Sequence, residues 1–321
     1  MKSNIVKRII FYVLLLSLVA VIVLSNKTKE RLYSGTYTSY LDTVCEITVA
    51  SKTDVPFKEC KDYLTFADKE FSAEDEDSTL YDFNHYQKKP ASDDLLNLIS
   101  IGKEFSDKYP EFFSIYLDET INLWNISGNP VTVPSDSEIQ KSLNNKKINL
   151  GGIAKGYITD KIVEILTNNE VKSALINLGG NTYAFGKKTT GENWKIGVQD
   201  PKDENNIIGS ITAEDVAVVT SGDYQRYTDI GDKRYHHILN PKIGYPADSG
   251  VHSVTVICKD ATTADALSTA AFVAGVADGN KILKENNAMG IFITDDTVYI
   301  SKGLEDIFTQ ENSDYKYEFL N

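Results

Sequence analysis

A chain of 321 residues with 41% hydrophobic and 25% charged residues has the make-up of an ordinary globular protein of one large domain or two. Its 46 acidic and 33 basic residues give a formal charge of −13, which argues against nucleic acid as a partner, since phosphate backbones require clustered Lys and Arg. Cys45, Cys60 and Cys258 have no metal-ligand spacing and read as buried or inert thiols, and the four histidines, scattered except for His236-His237, do not indicate a zinc site.

Lys2, Lys7 and Arg8 precede an apolar run from Ile9 to Leu24. Sixteen helical residues span roughly 24 Å, slightly short of a hydrocarbon core of about 30 Å. The run is a signal-peptide core or a short membrane anchor. The weak small-x-small pattern at Val23-Leu24-Ser25-Asn26 favours an uncleaved anchor over residues 1–25. The leading positive charges favour a cytoplasmic N-terminus and an exported body, although Lys27, Lys29 and Arg31 blur that signal. Residues 26–34 read as a polar tether, and residues 35–321 as the globular domain.

Within that domain, Cys45–Ala50 alternates as a strand, and Phe57–Glu70 has the spacing of an amphipathic helix. Asp75–Asp77 is an acidic turn before a capping Ser78. A helix is expected over Asp93–Lys108, capped by Ser92 or Asp93 and ended near Tyr109-Pro110. Ser135 and Glu138 have capping-box spacing. Then follow a helix from about Ala154 to Leu166 and strands at Ser173–Leu178, Trp194–Val198, Asp215–Thr220, Tyr235–Leu239 and Ser253–Cys258. An Ala-rich helix over Thr262–Val276 and a hairpin over Met289–Ser301, turning at Asp295-Asp296, complete the chain. This irregular alternation favours an α+β fold, with mixed, largely antiparallel sheets and packed helices, over a doubly wound sheet. An N-terminal hydrophobic helix would precede it.

Three segments could carry chemistry. Gly151 and Gly152 let a backbone approach a ligand closely, the helix behind them offers unpaired N–H groups, and Lys155 adds charge. The same pattern also describes a plain turn into a helix. Asp265 and Thr269 stand four apart on one helical face and offer two oxygens suited to Mg²⁺, although a dipole-favoured Asp and a solvated Thr have the same spacing. Thr220-Ser221-Gly222-Asp223-Tyr224 is a strand end running into a polar turn. His236 and His237 follow on a strand and point to opposite faces, so at most one enters a given site. Asn240-Pro241, Gly244 and Pro246 fix a rigid turn beyond them.

The order of these segments is more specific than any of them alone. Asn149-Leu150-Gly151-Gly152-Ile153-Ala154-Lys155-Gly156-Tyr157 is followed by Ala174 to Asn181, then by Thr220 to Tyr224, His236 to Pro246 and Ala264-Asp265-Ala266-Leu267-Ser268-Thr269-Ala270. This series resembles the ApbE family of FAD:protein FMN transferases, from about Tyr40 to the C-terminal hairpin, and implies an ApbE-like T-fold. Such enzymes cut FAD between its two phosphates, join FMN to a Thr hydroxyl of a partner protein through a phosphoester, and release AMP with the help of Mg²⁺. The resemblance places metal ligands at the Ala154 carbonyl, the Asp265 carboxylate and the Thr269 hydroxyl, with Ser268 adjacent. It places the acid/base histidine at His237 and an early flavin-contacting segment at Leu41-Asp42-Thr43. FAD contacts are further expected from Phe112, Phe113, Ser114, Gly151, Gly152, Lys155, Thr220, Ser221, Gly222 and Ile238. The acceptor would be an exported or membrane redox protein.

The chain departs from the family pattern in one region. Many relatives carry Gly-x-Phe-Asp before a Leu-Trp, where this chain has Glu111-Phe112-Phe113-Ser114 running on to Leu123-Trp124, and a position often aromatic falls on Glu74. The departure motivates a further reading, a flavin-binding module with impaired catalysis; a second enzyme reading keeps the same site but uses water as nucleophile, making an FAD pyrophosphatase.

Overall fold

The computed structural model describes residues 30–52, 55–90, 92–126, 132–231 and 233–321. The apolar run Ile9–Leu24 lies outside the described residues, and among those described no helix is long and apolar enough to cross a membrane.

The chain opens with β1 (Arg31–Tyr40) and β2 (Thr43–Ser51), a hairpin whose first strand begins within the segment expected to be a tether. Helices α1 (Phe57–Phe71), α2 (Thr79–Tyr86), α3 (Asp93–Lys108), α4 (Asp118–Trp124), α5 (Asp136–Leu143) and α6 (Ala154–Asn168) follow. The anticipated caps form. Ser78 and Ser92 accept from the backbones of Tyr81 and Leu95, and Ser135 and Glu138 close a capping box. Strands β3 (Ser173–Leu178), β4 (Asn181–Phe185), β5 (Trp194–Asp200), β6 (Asp203–Ala213), β7 (Val216–Gly222), β8 (Tyr227–Ile230), β9 (Lys233–His236) and β10 (Ser253–Cys258) come next. Helix α7 (Ala261–Glu285) precedes β11 (Met289–Ile293), β12 (Thr297–Ser301), β13 (Phe308–Gln310) and β14 (Lys316–Leu320).

Nine strands form one sheet in the order β1-β2-β3-β4-β7-β10-β11-β12-β14, antiparallel except for the parallel β12–β14 pair. A three-stranded sheet, β13-β6-β5, and the β8–β9 hairpin complete the α+β architecture. Period-two alternation assigns the faces of the large sheet. Ile47, Val49, Ile176, Val219, Val254 and Val256 join the helices in one core, whereas Val218, Ile257, Ile291, Val298 and Ile300 meet Trp194, Ile196, Val198 and Ile211 of the small sheet in another. The central strand β10, covered on both faces, is buried throughout. Its apolar side chains each contribute about 1.5–3 kcal/mol by leaving water.

Two elements differ instructively from expectation. The strand expected over Tyr235–Leu239 ends at His236, and only Leu239 bridges onward, to Pro246, because the Asn240-Pro241 turn redirects the chain. The Ala-rich helix runs past Val276 to Glu285, but Gly275 breaks it with φ 77°, ψ −178°. All three cysteines are free and buried, and burial pushes the Cys45 thiol up to about 11 and the Cys60 thiol up to about 12.

Candidate active site

Helices α6 and α7 cross where the first has a glycine. An added Cβ on Gly156 would lie 2.2 Å from the Ala261 carbonyl oxygen and 2.7 Å from the Asp265 Cβ, so only glycine permits this approach. At the contact, the Gly156 N–H donates to Asp265 Oδ2 at 2.9 Å. Asp265, only 3% exposed, is thereby fixed two residues from Ala154, which is also buried. Asn181 Nδ2 reaches Asp265 Oδ1 at 3.4 Å, and Asn181 Oδ1 is buried without a hydrogen-bond partner. Thr269 stands beside the glycine turn: a Cβ on Gly152 would lie 3.4 Å from Thr269 Oγ1 and 3.2 Å from the Phe113 ring.

This donor set fits a hard cation. It comprises a carboxylate oxygen with only one long contact, a hydroxyl, a backbone carbonyl and, close by, an orphaned amide oxygen. Among the described residues no three His, Cys, Asp or Glu side chains converge. Ser268 has a different position from its neighbours. Its hydroxyl donates to the Asp265 carbonyl at 2.9 Å and accepts from Ser221 at 2.7 Å, which ties α7 to the end of β7.

Two turns bring the flavin-side candidates to the same end of the large sheet. In register, Cys45 pairs with Leu178, Leu178 with Asn181, and Asn181 with Val219. The β1–β2 turn, the Gly179-Gly180 turn and the end of β7 therefore sit side by side. Leu41 and Asp42 both have positive φ, 56° and 52°, a conformation that costs a leucine strain and is usually held where function needs it. The Leu41 N–H is anchored on Asp68 Oδ1 at 3.0 Å. Thr43 fills the space above Gly179, where a Cβ would sit 2.3 Å from its Oγ1.

The hydroxyl of Thr220 faces away from Ser221 and pairs with Thr255 at 2.8 Å, so what Thr220 offers this corner is its backbone, whose N–H bonds the Gly180 carbonyl. Gly222 accommodates the Tyr224 ring, Ile238 is buried in the main core, and Phe112 is half-buried against it. Phe113 is buried under Gly152. The departures in this region have local structural roles. Glu111 pairs with Lys242 at 2.5 Å, and Ser114 accepts from the Tyr116 N–H at 3.0 Å.

The two histidines separate as strand alternation requires. His236 is buried against Phe272, with Nε2 donating to the Ala247 carbonyl at 2.9 Å and Nδ1 accepting from the Ile238 N–H at 3.3 Å. His237 Nδ1 donates to the Arg226 carbonyl at 3.2 Å, and the same carbonyl accepts from the His237 backbone at 3.1 Å. That bond fixes the tautomer and leaves Nε2 as the basic nitrogen. His237 is pushed down to about 4, chiefly by enclosure among protein atoms and further by the Arg226 and Lys155 charges, against the opposing pull of its backbone hydrogen bond. Lys155 and Arg226 thus bring two positive charges near the neutral His237 imidazole, electrostatics that suit phosphates.

Sequence reasoning assigned no role to Gly156, Asn181 or Arg226. Gly156 had a signal, a glycine inside a helix, which commonly marks close packing. Asn181 ends a motif segment and Arg226 lies two residues beyond another, and both act through contacts that only the fold creates.

The ApbE family model matches residues 41–293. An FAD:protein FMN transferase of Klebsiella pneumoniae is 33% identical over 244 residues, spanning 68% of this chain and 75% of the relative. That of Treponema pallidum is 32% identical over 250 residues, spanning 66% and 69%. Among solved structures, an ApbE protein of Thermotoga maritima superposes with a TM-score of 0.74 at 31% identity, covering 88% of this chain and 98% of its own. The apo flavinyl transferase ApbE of Pseudomonas stutzeri, at 24% identity, has the same fold, with a TM-score of 0.77 over 88% and 99% of the two chains. With the family model matched over residues 41–293 and relatives more than 30% identical over about two thirds of the chain, the chain belongs to the ApbE family of flavin transferases.

Proposed function

We propose that the protein is a Mg²⁺-dependent FAD:protein FMN transferase that joins FMN through a phosphoester to a Thr of an exported or membrane redox protein and releases AMP. The observation that carries this reading is the Gly156–Asp265 contact beside Thr269 and Gly152, which assembles an oxygen-donor set next to a helix N-terminus.

The chemistry follows from the chain's own groups. Gly152, whose N–H has no acceptor among the described residues, and Lys155 hold the FAD diphosphate. The acceptor Thr oxygen attacks the phosphorus that carries FMN, its proton passes to His237 Nε2, and the bond to the bridging oxygen breaks so that AMP leaves. The fixed Nδ1–H and the depressed pKa keep His237 neutral and able to accept that proton. The Ala154 carbonyl, Asp265 and Thr269, on a helix braced by Ser268, would hold Mg²⁺, which would neutralise the charge that builds on phosphorus and leaving group.

The reading is tested by incubating the purified protein with FAD and Mg²⁺, with and without a Thr-bearing acceptor. Labelled acceptor supports it. Free FMN in both arms makes the protein a pyrophosphatase, and unchanged FAD makes it a binding module. The basic-then-apolar N-terminal sequence supports an anchored, extracytoplasmic catalytic domain. Fractionation with the membrane, with the catalytic domain open to externally added protease, is the expected result.

A further inference from the structure

A buried carboxylate outside the candidate site is wired to the glycine turn. Asp118, the first residue of α4, is fully buried. Its Oδ1 accepts from Asn149 Nδ2 at 3.2 Å, and its Oδ2 from Asn122 Nδ2 at 3.3 Å. Asn149 Oδ1 accepts in turn from the Gly151 N–H at 3.0 Å, while the Asn149 backbone N–H donates to the Ile115 carbonyl at 2.8 Å. The amide orientation of Asn149 is dictated by its partners, since a carboxylate needs the NH₂ end and an N–H needs the oxygen. Burial pushes the Asp118 carboxyl up, opposed by Asn149 and by Lys147, itself paired with Glu119 at 2.5 Å; Glu119 and His85 are the other charged or titratable groups that act on it.

We infer that Asp118 is a positioning residue for FAD binding, acting through Asn149 to set the Gly151-Gly152 turn. The inference rests on the transferase reading for the identity of the ligand, not for the relay itself. The first turn of α4 favours a negative charge, and the amides of Asn149 and Asn122 compensate the buried carboxylate, one to each oxygen. What it secures is the orientation of one side chain whose other end closes a two-residue turn at Gly151. That turn leaves the next N–H, of Gly152, without an acceptor among the described residues and beside Thr269, where a phosphate oxygen would lie.

The test is an exchange of the two side chains. Asn149→Asp sets two buried carboxylates face to face, so they must share a proton. FAD affinity, read from flavin fluorescence, is expected to fall about tenfold or more at pH 8 and to recover toward pH 5.5 as that proton binds. The double variant Asp118→Asn/Asn149→Asp restores every bond: the new amide donates to the new carboxylate and accepts from Asn122, and the carboxylate still accepts from Gly151. Its affinity is expected within about threefold of the parent, and independent of pH over this range. Amide exchange over residues 149–153 without ligand reads the same relay, faster in Asn149→Asp and restored in the double variant. A double variant as impaired as Asn149→Asp, or an Asn149→Asp variant that matches the parent, overturns the inference. If the parent protein binds no FAD, the transferase reading fails, and the exchange measurement still decides the relay.

Discussion

The α6–α7 crossing and the β1–β2 turn lie at the same end of the large sheet but are built differently. At the crossing, backbone and short side chains are buried in the main core: Gly156, Asp265 and Ser268 have almost no conformational freedom, and two helices enforce their spacing. At the turn, Leu41 and Asp42 hold a strained backbone on an edge hairpin whose first strand is largely exposed. The neighbouring segment carries Glu111 in an ion pair at the surface. A phosphate and a cation need fixed geometry, which a core supplies. Glu111 and Ser114 make contacts that involve no residue of the crossing, an ion pair and a turn hydrogen bond, so changes there leave it intact.

Four substitutions and two pH series would break or sharpen that contrast. Asp265→Ala should remove transfer, a loss beyond about 10³-fold, because both the donor oxygen and the acceptor of the Gly156 N–H disappear; normal acceptor labelling at high Mg²⁺ would reject the site. His237→Gln should lower the rate on the order of 10²-fold or more while leaving FAD binding largely intact, in single-turnover labelling against fluorescence titration. In the unsubstituted protein the rate should hold from neutral pH to about 5 and fall as the His237 imidazole, pushed down to about 4, takes a proton. The sign for stability follows from the same depression. Between the unfolded value of about 6.5 and the folded value, only the unfolded chain binds that proton, so this histidine destabilises the fold as pH falls through the window. A melting temperature that rises on acidification from pH 6.5 to 4.5 would contradict it, other groups being matched by a His237→Gln control.

Gly156→Ala should cost about 1–3 kcal/mol by forcing α6 from α7, and should lower transfer through displacement of Asp265; a thermal melt superimposable on the parent would deny the close approach. Glu111→Ala marks the other extreme. Both partners of its ion pair with Lys242 are more than half exposed, so stability should change by less than about 1 kcal/mol. A larger change in denaturant midpoint would show that the flavin side is as tightly coupled as the metal side.

The legible parts of the molecule were those whose physics is local. Asp265 and Thr269 share a helix, the caps at Ser78, Ser92 and Ser135 depend on neighbours three residues away, and the hairpin at Asp295-Asp296 is a turn between alternating runs. Gly156 and Asn181 escaped because their partner, Asp265, lies 109 and 84 residues away in the sequence. Strand β1 was not read from the sequence, because Arg31, Tyr33 and Ser34 are exposed on an edge and lack an alternating apolar face. Alternation correctly separated His236 from His237, but the environment of each came from segments elsewhere, the Ala247 and Arg226 carbonyls.

The three enclosed, protonated sulfhydryls have a consequence for reactivity. With all three thiols buried and their ionisation disfavoured, the folded chain presents no ready cysteine thiolate to an oxidant. Disulfide exchange with a small thiol or disulfide would therefore require at least local opening of the core.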